Sequence, residues 1–457
     1  MKGLFRNILL ALVIVPVMGS LWSCGTKEDF DIRRHPEKNS SSAGTGERDY
    51  DQWGRRVMLL YSAGLNSLTH YLSEDINDLM NGYIPGNRSN DNVLLVFSRN
   101  GAYSSYGCKA VSPVLFRMYK DQTGATVRDT LVTYPVETNA ASAATVTTVL
   151  EDVRSRFPSY SYGMVFSSHA SGWVPPYYYF NPSAYDPEYI DSESGGGGVW
   201  GTSPRRAHPV FDPNEMYPDL PPVKSVGQDY LTGGAVEMSL RDFADAIPYK
   251  LEYLLFDACL MGGIETAYEL RDKTDIVGFS QAEVLAEGFD YTTLAAHLIG
   301  SAKADPKAVC EDYFNYYDQQ SGVARSATIS LIDCTKLEPL ATLCREYFEK
   351  YRSAILSIDA STVQVYFRFG RHFFYDLEDI LLKAGITTAE QAALERALLN
   401  CTIYKAATPS FMQTGMSGFD IFMYSGFSMF LPAAGTTYIT NYYKSNLDWN
   451  DATLLVK

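Results

Sequence analysis

Positive charge is scarce in this sequence. Lys and Arg number 38 against 53 Asp and Glu, so the formal net charge is −15. A nucleic-acid backbone is held by clustered cations, and this balance argues against such a partner. It is compatible with attraction of basic peptides. Histidine is also scarce, at six residues, and none belongs to an HExxH or comparable cluster, which disfavours a metallohydrolase. There is no CxxC pair to build a structural zinc site, and no loop has an EF-hand pattern. No internal repeat is present. The apolar stretch 8–17 is too short to be an ordinary membrane span.

What is present is a chain of 457 residues with 46% apolar content and 33 tyrosines, enough for two or three domains and a sizeable core. The first 24 residues read as a lipoprotein signal peptide. Lys2 and Arg6 supply its positive start, residues 8–17 its apolar stretch, and Leu21-Trp22-Ser23-Cys24 resembles a lipobox. Acylation of Cys24 would anchor the protein to a bacterial membrane, at the outer membrane or cell surface, without a spanning helix. Residues 25–50 are polar and aperiodic and read as a flexible tether. If Cys24 is lipidated and Cys259 is chemical, five cysteines remain, which argues against a fully paired disulfide framework. Cys310, Cys334 and Cys344 lie in apolar settings and read as buried thiols.

From residue 51 the pattern alternates. Apolar runs at 56–62 and 92–98 enclose a helical period at 65–80, which is a βαβ unit of a parallel sheet. Asp121-Gln122-Thr123-Gly124 reads as a hairpin turn, and 141–157 as an amphipathic helix. Further helices are expected at 237–247, 264–270, 307–319, 337–357 and 389–399. Strands are expected at 276–280, 326–332 and 427–431. Between 174 and 235 the periodicity dissolves into a long loop rich in Pro, Tyr and Gly.

Two stretches carry chemistry. Residues 254–263, LLFDACLMGG, are an apolar run that surfaces at Asp257 and Cys259 and breaks at a Gly pair. Residues 164–173, MVFSSHASGW, surface at His169 and break at Gly172. A thiol and an imidazole at the exits of two buried strands are the parts of a cysteine nucleophile with its acid–base partner. In an open α/β sheet, functional groups collect at the carboxyl ends of strands.

At Ser168-His169-Ala170-Ser171-Gly172-Trp173 and Asp257-Ala258-Cys259-Leu260-Met261-Gly262 the chain resembles the clostripain-like cysteine peptidases, relatives of caspases, gingipains and legumains. The likeness extends to 57–66, Asp290-Tyr291 and 426–432. It implies an α/β fold, a caspase-like α/β/α sandwich with a mostly parallel sheet over 51–330, and a C-terminal α/β extension over 331–457. It also implies a cysteine endopeptidase with His169 and Cys259 as the dyad. The oxyanion would be held by the backbone N–H groups of Cys259 and Ala170, where the family usually has Gly; alanine keeps the N–H. An acidic group after the next strand would recognise a basic P1 side chain, by charge pairing with Arg or Lys.

Gln281, Glu283, Glu287 and Asp290 are the candidates for that acidic region, with Glu287 preferred. Asp257, Ser168 and Trp173 are candidate pocket walls, and Tyr291 another. Asp257 reads equally well as a helix N-cap or a buried structural carboxylate. Arg205, Arg206 and Lys224 in the long loop are candidate autolysis sites; the loop would lie near the cleft until cut. The partners are protein or peptide substrates and, through the lipid, a membrane. No cofactor is required, and no metal ligand set is assigned; some relatives use calcium structurally. A non-catalytic surface binder of the same fold and a cell-wall peptide amidase are the alternative readings. The oligomeric state is not legible.

Overall fold

The computed structural model describes residues 55–457 apart from 105–106, 177, 179–185, 187–222, 225–228, 232–233, 369–372 and 415–416. The signal peptide, Cys24, the tether, Arg205, Arg206 and the glycine run 195–198 lie outside the described residues.

Nine strands form the central sheet: β1 (Arg56–Ser62), β2 (Val93–Ser98), β3 (Val114–Lys120), β4 (Thr126–Thr133), β5 (Ser161–Ser167), β6 (Leu251–Asp257), β7 (Thr274–Phe279), β8 (Thr328–Asp333) and β9 (Thr402–Ala407). Their spatial order is β9-β8-β7-β6-β5-β1-β2-β3-β4. The five central strands, β7 to β2, run parallel, and an antiparallel pair extends each side. The apolar runs read from the sequence are these central strands. Every residue of β1 and β5 is buried, because helices cover both faces of a parallel sheet. The outermost strand β4 is largely exposed.

Chain order places the site. The chain leaves β1 through β2, β3 and β4 on one side, then returns to β5 on the other side of β1. That reversal between β1 and β5 opens a crevice at the carboxyl ends of the strands.

The helices fall into two packed groups. Thr69–Asn81, Tyr291–Ile299 and Pro306–Asp318 pack on one another in series. Ala143–Arg156 packs on Leu240–Ala246, and Ile264–Glu269 lies between Leu240–Ala246 and Asp448–Thr453. Their starts follow capping chemistry. Ser142 accepts from the Thr145 N–H, Ser239 from the Asp242 N–H, and Thr387 with Glu390 closes a reciprocal box.

The first helix begins later than its apolar period predicts, at Thr69 rather than 65. Asn66 Oδ1 accepts the Leu68 N–H at 2.9 Å, a local turn that competes with the helix and leaves 63–68 as a loop over the crevice. Strand β9 was not expected, since TIYKAA shows no clear alternation and is only half-buried at the sheet's edge. It comes from the C-terminal 331–457, which lies in the same compact unit as the rest of 49–457. The long loop also contains short strands, Val223–Lys224, Asp229–Leu231 and Gly234–Val236.

Gly163 in β5 tests the tightness of this sheet. A Cβ there would lie 1.9 Å from Cζ of the buried Tyr253 on β6. Gly163→Ala is expected to lower stability by about 3 kcal/mol through overpacking, read as a lower urea midpoint. An unchanged midpoint would mean the ring can turn aside.

Candidate active site

The register of β5 with β6 brings the two sequence motifs together. Phe166 pairs with Phe256 and Ser167 with Asp257. His169 and Cys259 therefore each stand two residues beyond a paired position, at the same edge of adjacent strands. Neighbouring strands lie about 4.8 Å apart. The loops that follow also touch. Gly172 has φ +58°, and a Cβ on it would sit 2.5 Å from the Leu260 carbonyl oxygen. Only glycine meets both demands.

The loop after β6 is held under backbone strain. Leu260, directly after Cys259, has φ +59°, a left-handed conformation that disfavours a side-chain-bearing residue by about 1–2 kcal/mol. Hydrogen bonds offset it: the Leu260 N–H donates to Ala282 O at 2.9 Å and the Gly262 N–H to Ser280 O at 2.7 Å. Gly262 lies so close to β7's exit that a Cβ would meet the Gln281 nitrogen at 2.5 Å.

The Cys259 Sγ accepts the Val284 N–H at 3.1 Å. The thiol also donates to Val284 O at 3.8 Å, so the sulfur meets both a donor, which favours the thiolate, and an acceptor, which favours the thiol. His169 Nε2 lies 2.8 Å from the Ser67 Oγ, on the loop after β1. The hydroxyl can accept from Nε2–H or donate to Nε2, according to the tautomer. Sequence reasoning missed Ser67 and Val284. A serine in a loop carries no signal of its own, and a backbone N–H carries none at all.

Cys259 is 1% exposed and His169 4%. The long loop reaches the chain next to the thiol. Its strand Val223–Lys224 pairs antiparallel with Val284–Leu285, and Lys224 stands opposite Val284, the residue that donates to the thiol.

The residues expected as pocket walls are all buried. Trp173 is buried in the core against Phe373, Phe374, Phe430 and Tyr443. Large aromatic area is better satisfied there than at a wet rim. Ser168 is buried, its Oγ donating to Ala63 O at 2.7 Å. Asp257 is also buried, with Oδ2 accepting from Tyr291 Oη at 2.7 Å and Ser167 Oγ at 3.1 Å; it braces strand ends. Tyr291 is spent on that contact and is fully buried. Ala170 is buried beside His169.

Of the four candidates beyond β7, Gln281 is tied to Ser330 and Gly426, and Asp290 caps the helix Tyr291–Ile299. Glu283 is buried on Arg368. Glu287 is exposed. Cys310, Cys334 and Cys344 are buried free thiols, as their settings predict, and so is Cys401. Burial pushes the first three well up and Cys401 up to about 12, so none is primed as a nucleophile. Among the described residues no group of three or more His, Cys, Asp or Glu is placed to hold a metal ion.

Comparison with known proteins follows this geometry. The sequence matches the model of the clostripain family, peptidase C11, over residues 60–186 and 214–454. The fold is similar to an inactive zymogen C11 protease from Parabacteroides distasonis, 24% identical, with 88% of this chain and 98% of that chain covered and a TM-score of 0.66. It is also similar to a secreted C11 cysteine protease from Bacteroides thetaiotaomicron in complex with an irreversible peptide inhibitor, 22% identical, with 88% and 99% covered and a TM-score of 0.66. No curated protein sequence matches.

Ser67 gives the sharpest test of the site's geometry. Ser67→Ala should leave the fold intact, because the residue is exposed, and should lower kcat for peptide hydrolysis about tenfold with KM little changed, the scale of one hydrogen bond. Ser67→Thr keeps the hydroxyl and should retain most of the rate. Equal rates for Ala and wild type would remove Ser67 from the site.

Proposed function

The chain belongs to the clostripain family of cysteine peptidases, and from that premise we propose that it is an endopeptidase with a His169–Cys259 dyad, exported and made as a self-blocked precursor. The observation that carries the dyad is the β5–β6 register, which sets both residues at one strand edge. The Cys259 thiolate attacks the scissile carbonyl, and the N–H groups of Cys259 and Ala170 receive the oxyanion. His169 gives its proton to the leaving amine, and water, deprotonated by the same ring, hydrolyses the acyl-enzyme. Glu287 is the group for a basic P1 residue. Its exposed carboxylate lies three residues beyond Val284, and the chain's acidic balance favours a cationic substrate.

The precursor is blocked because Val223–Lys224 occupies the backbone edge beside the thiol that an extended substrate would use. Cleavage after Lys224, Arg206 or Arg205 frees it. The likeness to a structure described as an inactive zymogen supports this reading.

Wild-type protein should therefore appear as two bands split within the loop. Cys259→Ala and His169→Ala should remain one band and lose at least about 1,000-fold in kcat/KM on Arg and Lys peptides. Replacing Arg205, Arg206 and Lys224 together by Ala should keep the chain whole and idle. Full activity in an intact single chain would end the blocked-precursor reading, and near-normal turnover by either dyad variant would end the dyad.

Cys24 carries the location. No helix among the described residues is long and apolar enough to cross a membrane, and a related protease is described as secreted. Lipid on Cys24 then holds the enzyme at the membrane surface. Cys24→Ser should move the protein from the detergent phase to the aqueous phase; identical partition of both forms would exclude the lipid.

A further inference from the structure

We propose that the Glu283–Arg368 ion pair is a positioning clamp for the nucleophile, holding the peptide group whose N–H is hydrogen-bonded to the Cys259 sulfur. The inference rests on Cys259 being the nucleophile.

The N–H that reaches Sγ at 3.1 Å is that of Val284, so it belongs to the peptide bond made by Glu283. The orientation of that peptide plane decides whether its dipole meets sulfur. On its amino side the plane is anchored by a side chain. Arg368 Nε lies 3.0 Å from one oxygen of Glu283 and 3.1 Å from the other, and the two side chains are 0% and 3% exposed. Arg368 comes from 85 residues further along the chain, so the clamp ties the donor peptide to a distant part of the fold.

On its carboxyl side the plane leads into Val284–Leu285, whose partner is the strand Val223–Lys224. That partner is borrowed from the loop that proposed maturation cuts. Once the loop leaves, the ion pair remains beside the Glu283–Val284 peptide, together with the backbone ties of the preceding residue, whose N–H donates to Thr328 Oγ1 at 3.0 Å and whose carbonyl accepts the Leu260 N–H at 2.9 Å.

The pair is a poor choice for stability alone. Burial pushes the Glu283 carboxyl up and the Arg368 guanidinium opposes that shift, which shows the desolvation the pair must overcome. A well-packed apolar pair commonly does as well. Its chemical use lies in the charges around the thiol. Asp257 is two residues before Cys259, Tyr313 faces it from the helix Pro306–Asp318, and His169 stands across from it. Glu283 adds a carboxylate to the residue whose peptide bond carries the Val284 N–H that meets the sulfur. Unpaired, it would repel a thiolate; paired with Arg368, it fixes a donor without adding net charge.

The test titrates Cys259 itself. Thiolate absorbance in the ultraviolet is followed against pH for the full-length protein and for the same protein carrying Cys259→Ala, and the difference isolates this thiol. Glu283→Gln/Arg368→Met removes the clamp without burying a lone charge, and Arg368→Lys keeps the cation but loses the Nε bridge. Either variant, shown folded by circular dichroism, is expected to raise the Cys259 midpoint, by about one pH unit for the double variant. The acid limb of kcat/KM should move with it, with kcat falling about tenfold and KM held. A parental midpoint in either folded variant overturns the clamp. Failure of the underlying reading looks different: Cys259→Ala would then keep its turnover, whatever the titration shows.

Discussion

The backbone ladder between β5 and β6 is the constraint on which the site depends. Parallel pairing sets Ser167 opposite Asp257, and every later residue on the two exits inherits that alignment. Side chains on a strand alternate, so a slip of one residue would send His169 or Cys259 to the opposite face. The register is held from below by tight packing, with Gly163 against the Tyr253 ring. It is held from above by Asp257, whose Oδ2 accepts from Ser167 on the neighbouring strand and from Tyr291.

Beyond the ladder, buried polar groups attach the late part of the chain to the loop after β6. The Ser428 N–H donates to Gly262 O at 2.8 Å. Glu265, just after the loop, accepts the Phe430 N–H at 2.8 Å and Tyr443 Oη at 2.7 Å, and burial pushes its carboxyl up to about 7. Gln281 donates to Gly426 O at 2.8 Å. These contacts stiffen a loop that already stores strain at Leu260. The C-terminal 331–457 is thus a buttress of the strand edge that carries His169 and Cys259, as well as the source of edge strand β9.

Legibility followed the strength of local signals. Central strands were readable because burial on both faces makes them continuous apolar runs. Helices were readable at Ala143–Arg156 and Leu240–Ala246, where Ser142 and Ser239 cap an apolar period, and also at Ile264–Glu269, which has no side-chain cap; Thr437–Asn446, capped by Thr436, was not expected. The start of the first helix was misread because Asn66 folds back on the Leu68 N–H, a choice that composition leaves open. The surroundings of Trp173 were not legible, because its neighbours Phe373, Phe430 and Tyr443 come from 200 or more residues away. Glu283 looked like any other acidic residue of its stretch until Arg368 was found against it.

Residue order alone determined the presence of a thiol and an imidazole at two strand exits, the apolar runs that become the parallel core, and the long aperiodic connection between them. Those features are local, written in the identity and spacing of neighbours. Tertiary structure alone decided which strands are adjacent, that Ser67 reaches His169, that the Val284 N–H meets the sulfur, and that Val223–Lys224 lies along the strand edge beside it. The last three of those contacts join residues at least 25 positions apart. Backbone donors carry no side-chain label, so pairings at that range exist only once the whole chain has packed.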